Sequence, residues 1–199
     1  SGINLSNARN VEIRALSLRG FTNGVKIVHG AGTTSTNNVI RGCDVSSNYY
    51  HGVAVISNGS DGNRVVSNWA DGASSYQDYG ILFREGDRNI ASNNRLYDNQ
   101  YGVVMDGVTR SNVVKRNLVY SNDYTGVYLA GNNVDDNFVL SNSFDGKGQY
   151  QDTGVYVSDG DGNEVVGNVA WDHSSVGVTV GGGSSSNLVE GNVIRSNNT

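Results

Sequence analysis

Apolar and polar residues alternate in short runs that recur along the whole chain, and each run opens just after a glycine. In a typical run, Val127-Tyr128-Leu129, the first and third residues are apolar. Alternation with a period of two and many β-branched residues predicts short strands with one buried face. Successive glycines are 22 to 28 residues apart, which predicts a stacked repeat. The glycines that begin the repeats are Gly2, Gly24, Gly52, Gly80, Gly102, Gly126, Gly154 and Gly177.

Two further positions, five residues apart, recur after each glycine and form two columns when the coils are stacked. The first column is Asn10, Asn38, Asn63, Asn89, Asn112, Asn137, Asn163 and Asn187. The second column is Ala15, Cys43, Asn68, Asn94, Asn117, Asn142, Asn168 and Asn192. Stacked coils repeat at roughly 4.8 Å, so equivalent residues lie above one another. Asparagine tolerates a left-handed turn, and its amide both donates and accepts hydrogen bonds, so these columns predict structural asparagine ladders.

Apolar runs follow the glycine and both columns, so each repeat of about 23 residues contains three short strands. This arrangement predicts an all-β parallel β-helix, a solenoid of about eight coils with three short strands per coil, forming one domain over residues 1–199. No segment has the 3.6-residue apolar period with capping residues that predicts a helix.

The repeat pattern resembles the right-handed parallel β-helix of pectate-lyase-like proteins over nearly the whole chain. The registers Tyr-Gly-Val-x-x-Asp and Asn-x-Val-x-x-Asn-x-Val look most like bacterial alginate C5-epimerase modules and related lyases. This resemblance implies a right-handed, single-stranded β-helix that removes the C5 proton of a uronan-type polysaccharide, as a lyase or an epimerase. It also implies an extracellular, secreted or cell-surface location. The Asp-Pro-His signature of those epimerases is missing, because the sequence contains no proline.

Composition limits the classes of molecule that the chain is expected to bind. The formal net charge of −5 argues against nucleic acid and anionic membranes, and no apolar stretch reaches the length of a membrane span. The single cysteine, Cys43, cannot form a disulfide within the chain. The sequence begins directly in a coil and ends just after one, so we expect a module of a longer chain, or end-to-end or lateral self-association.

Two longer segments interrupt the repeat, at residues 71–78 and 145–152, and both end in Tyr-Gln-Asp. They are predicted to frame a cleft over the first strand of each coil, although paired decorations from a duplication explain them equally well. The substrate-binding residues predicted on these segments and on the first strands are Tyr76, Asp78, Glu85, Tyr128, Tyr150, Asp152 and Tyr156.

The outer face of the first strands is also predicted to hold the reacting groups. His51, Tyr79 and Tyr101 precede consecutive glycines and are expected to stack, with Arg84 and Asp106 adjacent across one rung. Removal of a C5 proton needs a cation for the carboxylate, here Arg84, and a base or acid, here His51, Tyr79 or Tyr101. Asp106 would orient them or bind a cation. Two simpler interpretations remain: the tyrosines only stabilise the sheet, and Arg84 and Asp106 form an exposed ion pair without a catalytic role.

Calcium is the possible cofactor, and no metal-binding residue is assigned. Residues 159–163, Asp-Gly-Asp-Gly-Asn, look like half of a calcium loop but lack its acidic twelfth position, so a tight turn is the simpler interpretation. His29 and His173 do not have zinc-ligand spacing. The function that competes with a lyase or epimerase is a non-catalytic polysaccharide-binding or structural shaft module of the adhesin or phage-spike type.

Overall fold

The computed structural model describes residues 1–30, 33–72, 77–147 and 150–197. This part of the chain contains 24 strands, numbered β1 to β24 in chain order, and no helix. The strands form parallel sheets that the chain visits in turn, so that about seven turns of a right-handed β-helix are completed. The predicted all-β parallel solenoid is confirmed.

The first sheet has eight strands in chain order. They are β1 (Ile3–Ser6), β3 (Asn23–Val28), β5 (His51–Ile56), β8 (Tyr79–Arg84), β11 (Tyr101–Asp106), β15 (Thr125–Ala130), β19 (Thr153–Ser158) and β22 (Val176–Gly181). All except β1 have six residues, and the pairing register aligns each glycine-led run with the next.

Shorter strands form the other two sides of the coil. The second sheet is β2 (Glu12–Arg14), β4 (Val39–Arg41), β6 (Arg64–Val66), β9 (Ile90–Ser92), β13 (Val113–Lys115), β17 (Phe138–Leu140), β20 (Glu164–Val166) and β23 (Leu188–Glu190). The third sheet is β7 (Trp69–Asp71), β10 (Arg95–Tyr97), β14 (Leu118–Tyr120), β18 (Ser143–Asp145), β21 (Val169–Trp171) and β24 (Val193–Arg195). A short extra pair joins β12 (Thr109–Arg110) to β16 (Val134–Asp135).

The core runs along the axis of the solenoid. In one coil, Val103 and Met105 from β11, Val114 from β13 and Val119 from β14 are completely buried in one apolar cluster. Burying a side chain of this size stabilises the fold by about 1.5–3 kcal/mol. The coils between the two ends contribute equivalent layers, so the core is continuous there, whereas Val189 and Ile194 of the last coil are exposed.

Buried amide groups connect the coils at both turns that flank the second sheet. The Asn94 main-chain N–H and side-chain Nδ2 both donate to Asn117 Oδ1, at 2.8 and 3.0 Å. Asn117 Nδ2 in turn donates to the Ala91 carbonyl at 3.0 Å and to Asn142 Oδ1 at 3.0 Å. The same bonds recur along the column that contains Asn63, where Asn63 N donates to Asn89 Oδ1 at 2.9 Å.

The left-handed backbone lies one residue earlier than the sequence analysis placed it. Arg116, directly before Asn117, has φ 55°, whereas Asn117 itself has no positive φ. In the first coil, Asn10 and Ala15 have the positive φ values, 58° and 54°, so they do not belong to the asparagine columns. Val11 takes the column position instead, and its N–H donates to Asn38 Oδ1 at 3.0 Å.

A third buried amide column, which the sequence analysis missed, lies between the third and first sheets. Its amide members are Asn48, Gln77, Asn99, Asn122 and Gln151, all buried; His173, an imidazole, and the partly buried Asn197 occupy the last two positions. Gln77 Nε2 donates to Asn99 Oδ1 at 2.7 Å, and Asn122 Nδ2 donates to Gln151 Oε1 at 2.9 Å. The glutamine of each Tyr-Gln-Asp segment is therefore a buried structural residue. The same five-residue step, from Asn94 to Asn99, was the available signal.

The glycine column is fixed by close packing between coils. A Cβ added to Gly102 would lie 2.5 Å from the Gly126 carbonyl oxygen and 2.6 Å from Val119 Cγ1. The corresponding glycines before and after it meet the same obstacle, since a Cβ on Gly80 would lie 2.7 Å from the Gly102 carbonyl oxygen. No L-residue fits there without separating the strands.

We expect Gly102→Ala to lower the free energy of unfolding by about 1–3 kcal/mol, because the added methyl overpacks a closed space. The matched control is Gly183→Ala, since a Cβ there would have only an ordinary contact of 3.7 Å with Asp159 Oδ1. Urea unfolding followed by circular dichroism measures both. Equal losses for the two variants would contradict the packing explanation.

Candidate functional site

Five aromatic rings line the outer face of the first sheet, and we call His51, Tyr79, Tyr101, Tyr128 and Tyr156 the tyrosine face. His51 and Tyr79 are register partners whose rings stack at 4.9 Å between centroids with an interplanar angle of 3°. Tyr79 meets Tyr101 edge-on at 5.6 Å. Tyr101, Tyr128 and Tyr156 continue the stack at 5.8 and 5.2 Å. The structure thus brings these sequence-predicted residues together.

The rings rest on an apolar floor. Ala54, Leu82 and Val104 point outward from the first sheet, as their alternation predicted, yet they are buried. Tyr79, Tyr101 and Tyr128 pack against them. The tyrosine face is therefore held in place by packing, and its half-exposed rings form a fixed surface rather than a set of freely rotating side chains.

Arg84 and Asp106 are the last residues of β8 and β11, whereas Tyr79 and Tyr101 are the first. They form the expected pair between neighbouring strands. Arg84 Nε and Nη2 approach Asp106 Oδ2 at 2.8 and 2.7 Å. Because both side chains are well exposed, at 40% and 37%, this pair contributes less than about 1 kcal/mol to stability. Asp106 occupies two of the five guanidinium N–H donors, so three remain for a ligand carboxylate.

The protonation of the tyrosine face is set mainly by burial. Loss of solvent lowers the pKa of His51 to about 4, and the nearby Arg84 and Lys26 charges act in the same direction. Burial also raises the pKa of Tyr79 and of Tyr101 above the ordinary value for tyrosine. At neutral pH, His51 is therefore a neutral imidazole and both tyrosines are phenols. The groups can donate hydrogen bonds, but none is a strong base.

The other sequence-predicted residues are spread around this face. Asp78 and Asp152 each accept a hydrogen bond from the next coil, from Gln100 Nε2 at 3.0 Å and from Ser174 Oγ at 2.5 Å. Burial raises the pKa of the Asp78 carboxyl. Tyr150 is 74% exposed. Glu85 follows β8 in a left-handed turn, with φ 58°, and Tyr76 lies outside the described residues.

The acidic turn considered for calcium is tied to the next coil. Asp159 Oδ1 accepts the Gly183 N–H at 2.7 Å, a bond that lowers the pKa of this carboxyl. Asp161 Oδ1 accepts the Ser185 N–H at 2.6 Å. Within residues 1–30, 33–72, 77–147 and 150–197, no three acidic, histidine or cysteine side chains are grouped to hold a metal ion. The bonds of Asp159 and Asp161 support the tight-turn interpretation.

Comparison with known proteins agrees with the β-helix fold. The family model described as "Right handed beta helix region" matches residues 1–168. The chain belongs to the right-handed β-helix family. A comparison with curated proteins gives no match. Among the described residues, no helix is long and apolar enough to cross a membrane.

Two solved structures superimpose on this chain over most of its length. The periplasmic alginate epimerase AlgG superimposes with a TM-score of 0.79 at 15% identity, over 98% of this chain and 47% of that one. DFA-IIIase from Arthrobacter chlorophenolicus A6 superimposes with a TM-score of 0.54 at 12% identity, over 88% of this chain and 41% of that one. The chain thus spans less than half the length of each. At these identities the similarity establishes the shared fold.

The pKa of His51 predicts a pH-dependent stability. An unfolded histidine has a pKa near 6.5, so the folded state favours the neutral form. The resulting contribution to the free energy of unfolding is complete above about pH 6.5 and is lost as the pH falls toward 4. We expect His51→Phe, which keeps an aromatic ring, to remove part of the acid destabilisation of the wild type. Unfolding at several pH values measures it. An NMR titration that places the pKa of His51 near 6.5 would contradict the prediction.

Proposed function

We propose that this chain is a carbohydrate-active module that binds a uronan-type polysaccharide along the tyrosine face. The observation that supports this most is the continuous stack of five partly exposed aromatic rings, one from each of five successive coils. Four spacings of roughly 4.8 Å make this surface about 19 Å long, which suits a linear polymer. Tyrosine rings pack against the apolar face of a sugar, and their hydroxyl groups hydrogen-bond its hydroxyls.

Charge restricts how an anionic polymer binds. The chain has a net charge of −5, so uronate carboxylates need local cations. Lys26 and Arg84 are the cations whose charges reach His51 at the start of the row. Calcium ions that bridge polymer and protein carboxylates are the alternative source. The fold shared with a periplasmic alginate epimerase supports both the uronan and a location outside the cytoplasm.

Binding is tested by replacing tyrosines with the residue that the chain itself uses at the same positions of other coils. The register partner of Tyr101 in the next coil is Thr125, and the register partner of Tyr156 in the next coil is Thr179. We expect Tyr101→Thr and Tyr128→Thr each to weaken retention in alginate and polygalacturonate gels by about tenfold, a loss of about 1.4 kcal/mol. Gels with calcium and with EDTA separate direct from bridged binding.

The control for these variants is Tyr49→Ser, because Tyr49 is 69% exposed and lies outside the tyrosine face. It should keep the wild-type retention. Arg84→Met should weaken binding with little change in melting temperature, since its ion pair with Asp106 is exposed. Retention that survives all the tyrosine-face substitutions would remove this surface as the binding site.

A second candidate function is removal of the C5 proton, and the neutral His51 stacked on Tyr79, with the Arg84 charge within electrostatic range, favours it. Arg84 would neutralise the uronate carboxylate while His51 takes the proton from C5, leaving an enolate-type intermediate. A lyase then breaks the C4–O4 bond as Tyr79 or Tyr101 protonates the leaving oxygen. An epimerase instead returns a proton to C5 from the opposite face. The low pKa of His51 makes it a weak base, so the expected rate is small.

The chemistry has two direct readouts. Lyase activity produces an unsaturated uronide that absorbs in the ultraviolet, and epimerase activity in D₂O replaces the C5 proton with deuterium, which NMR detects. We expect His51→Gln to abolish both signals while polymer retention persists. Wild-type protein that retains the polymer but gives neither signal would establish a binding module and reject catalysis.

A further inference from the structure

A groove with arginine walls runs along the turn between the second and third sheets, and we call it the turn groove. Its first part is a cavity of about 330 Å³ whose walls are Arg14, Ala15, Arg41, Gly42, Val66 and Ser67. The turn residues of three successive coils, Ala15, Gly42 and Ser67, all have positive φ and small side chains. Because these residues leave space above the turn, the arginines stand beside an open hollow.

The two arginines of this cavity are only partly neutralised. Arg14 and Arg41 are direct partners on the neighbouring strands β2 and β4, where like charges repel each other. Arg41 Nε donates to Glu12 Oε1, and both side chains of this ion pair are exposed. In the part of the chain that the structure describes, the Arg14 guanidinium has no hydrogen bond or ion pair. All five of its N–H donors are therefore available to a ligand.

The β-helix itself does not require arginines at these positions. In later coils of the same sheet, the equivalent residues are Leu140, Val166 and Glu190, which pair in the same register. The turn residues that follow them, Ser141, Gly167 and Gly191, are again small and have positive φ. The same backbone thus accepts apolar or acidic residues there, so the paired arginines are a local feature of the first coils.

The first coils are basic although the whole chain is acidic. Residues 1–51 contain five arginines and lysines against two acidic residues, whereas the whole chain has a net charge of −5. Both acidic residues of this segment, Glu12 and Asp44, already form ion pairs with arginines. An anion that approaches the turn groove therefore meets an excess of positive charge.

The turn groove extends beyond the two arginines. An adjoining cavity of about 290 Å³ shares Gly42 and Ser67 as walls and reaches Trp69 and Arg95. Trp69 is 46% exposed, and the Arg95 guanidinium carbon lies 4.8 Å from the centre of its ring. Asp44 is a wall of this second cavity, where its charge is already paired. The second cavity provides room for the body of a ligand whose charged group lies between the arginines.

We propose that the turn groove binds an acidic sugar, with its oxyanion, a carboxylate or a sulfate, between Arg14 and Arg41 and its ring over Gly42 and Ser67. Planar guanidinium groups donate paired hydrogen bonds to such oxyanions. Val66 and the Ala15 methyl offer apolar contacts to the C–H groups of the ring, as is usual in ligand pockets. This site lies away from the first sheet and does not rest on the proposed function of the tyrosine face.

Amide NMR spectra of the whole chain test this proposal directly, because Ala15, Gly42 and Ser67 each carry a main-chain N–H. Titration with galacturonic acid and with glucose 6-sulfate should shift these three signals in a saturable way. Galactose and glucose, which lack the oxyanion, should leave them unchanged. A saturable shift with either acidic sugar supports the proposal, and the sugar that binds more tightly identifies the oxyanion. Signals of Tyr101 and Tyr128 report separately on the tyrosine face.

Arg14→Gln and Arg41→Gln should each weaken the acidic sugar about tenfold, because each removes hydrogen bonds to a charged group. Arg14→Lys keeps the charge but loses the planar fork, so it should bind with intermediate affinity. Arg64→Gln is the matched control, since it removes an exposed arginine of the same sheet that is not a wall of the groove. It should bind like the wild type.

Three results would overturn the proposal. The first is no shift of the three signals with either acidic sugar at its solubility limit. The second is unchanged affinity in both Arg14→Gln and Arg41→Gln. The third is an equal loss of affinity in Arg64→Gln, which would reveal attraction to the general charge of the sheet instead of a site. Each result holds whether or not a uronan binds to the tyrosine face.

Discussion

Hydrogen bonding of buried amides between successive coils is the interaction on which the rest of this structure depends. Asn117 illustrates it, since one side chain accepts two hydrogen bonds from the coil before it and donates to a carbonyl and to the next side chain in its column. Each buried amide left without partners costs about 1–3 kcal/mol. A slip of register by one residue would break every column at once, so the coils can stack in only one way.

Fixed register turns equivalent positions of successive coils into surfaces. On the first sheet it stacks five aromatic rings, three of which pack on an apolar floor, and on the third sheet it places Trp69 between Asp44 and Arg95. The two surfaces differ in chemistry, because the first is a long aromatic surface and the second is one exposed indole between an aspartate and an arginine. One repeated backbone thus presents two chemically different surfaces.

Sequence analysis predicted the strands, the glycine column and the pairing of Arg84 with Asp106, because a solenoid converts sequence period directly into spatial neighbours. It placed Asn10 one residue away from the column, since in that coil an asparagine occupies the left-handed position itself. It missed Gln77 and Gln151 as amides because four-residue insertions delay them. It also missed Trp69, whose environment depends on how Arg95 and Tyr97 turn across neighbouring strands, and periodicity does not contain that information.

We propose that the polysaccharide lies along the tyrosine face. A crystal structure of this chain with a hexameric uronate oligosaccharide tests this proposal. We expect sugar rings to pack against Tyr101, Tyr128 and Tyr156, with a carboxylate near Arg84. Density for the oligosaccharide on the second sheet, or anywhere that leaves these tyrosines uncovered, would contradict it.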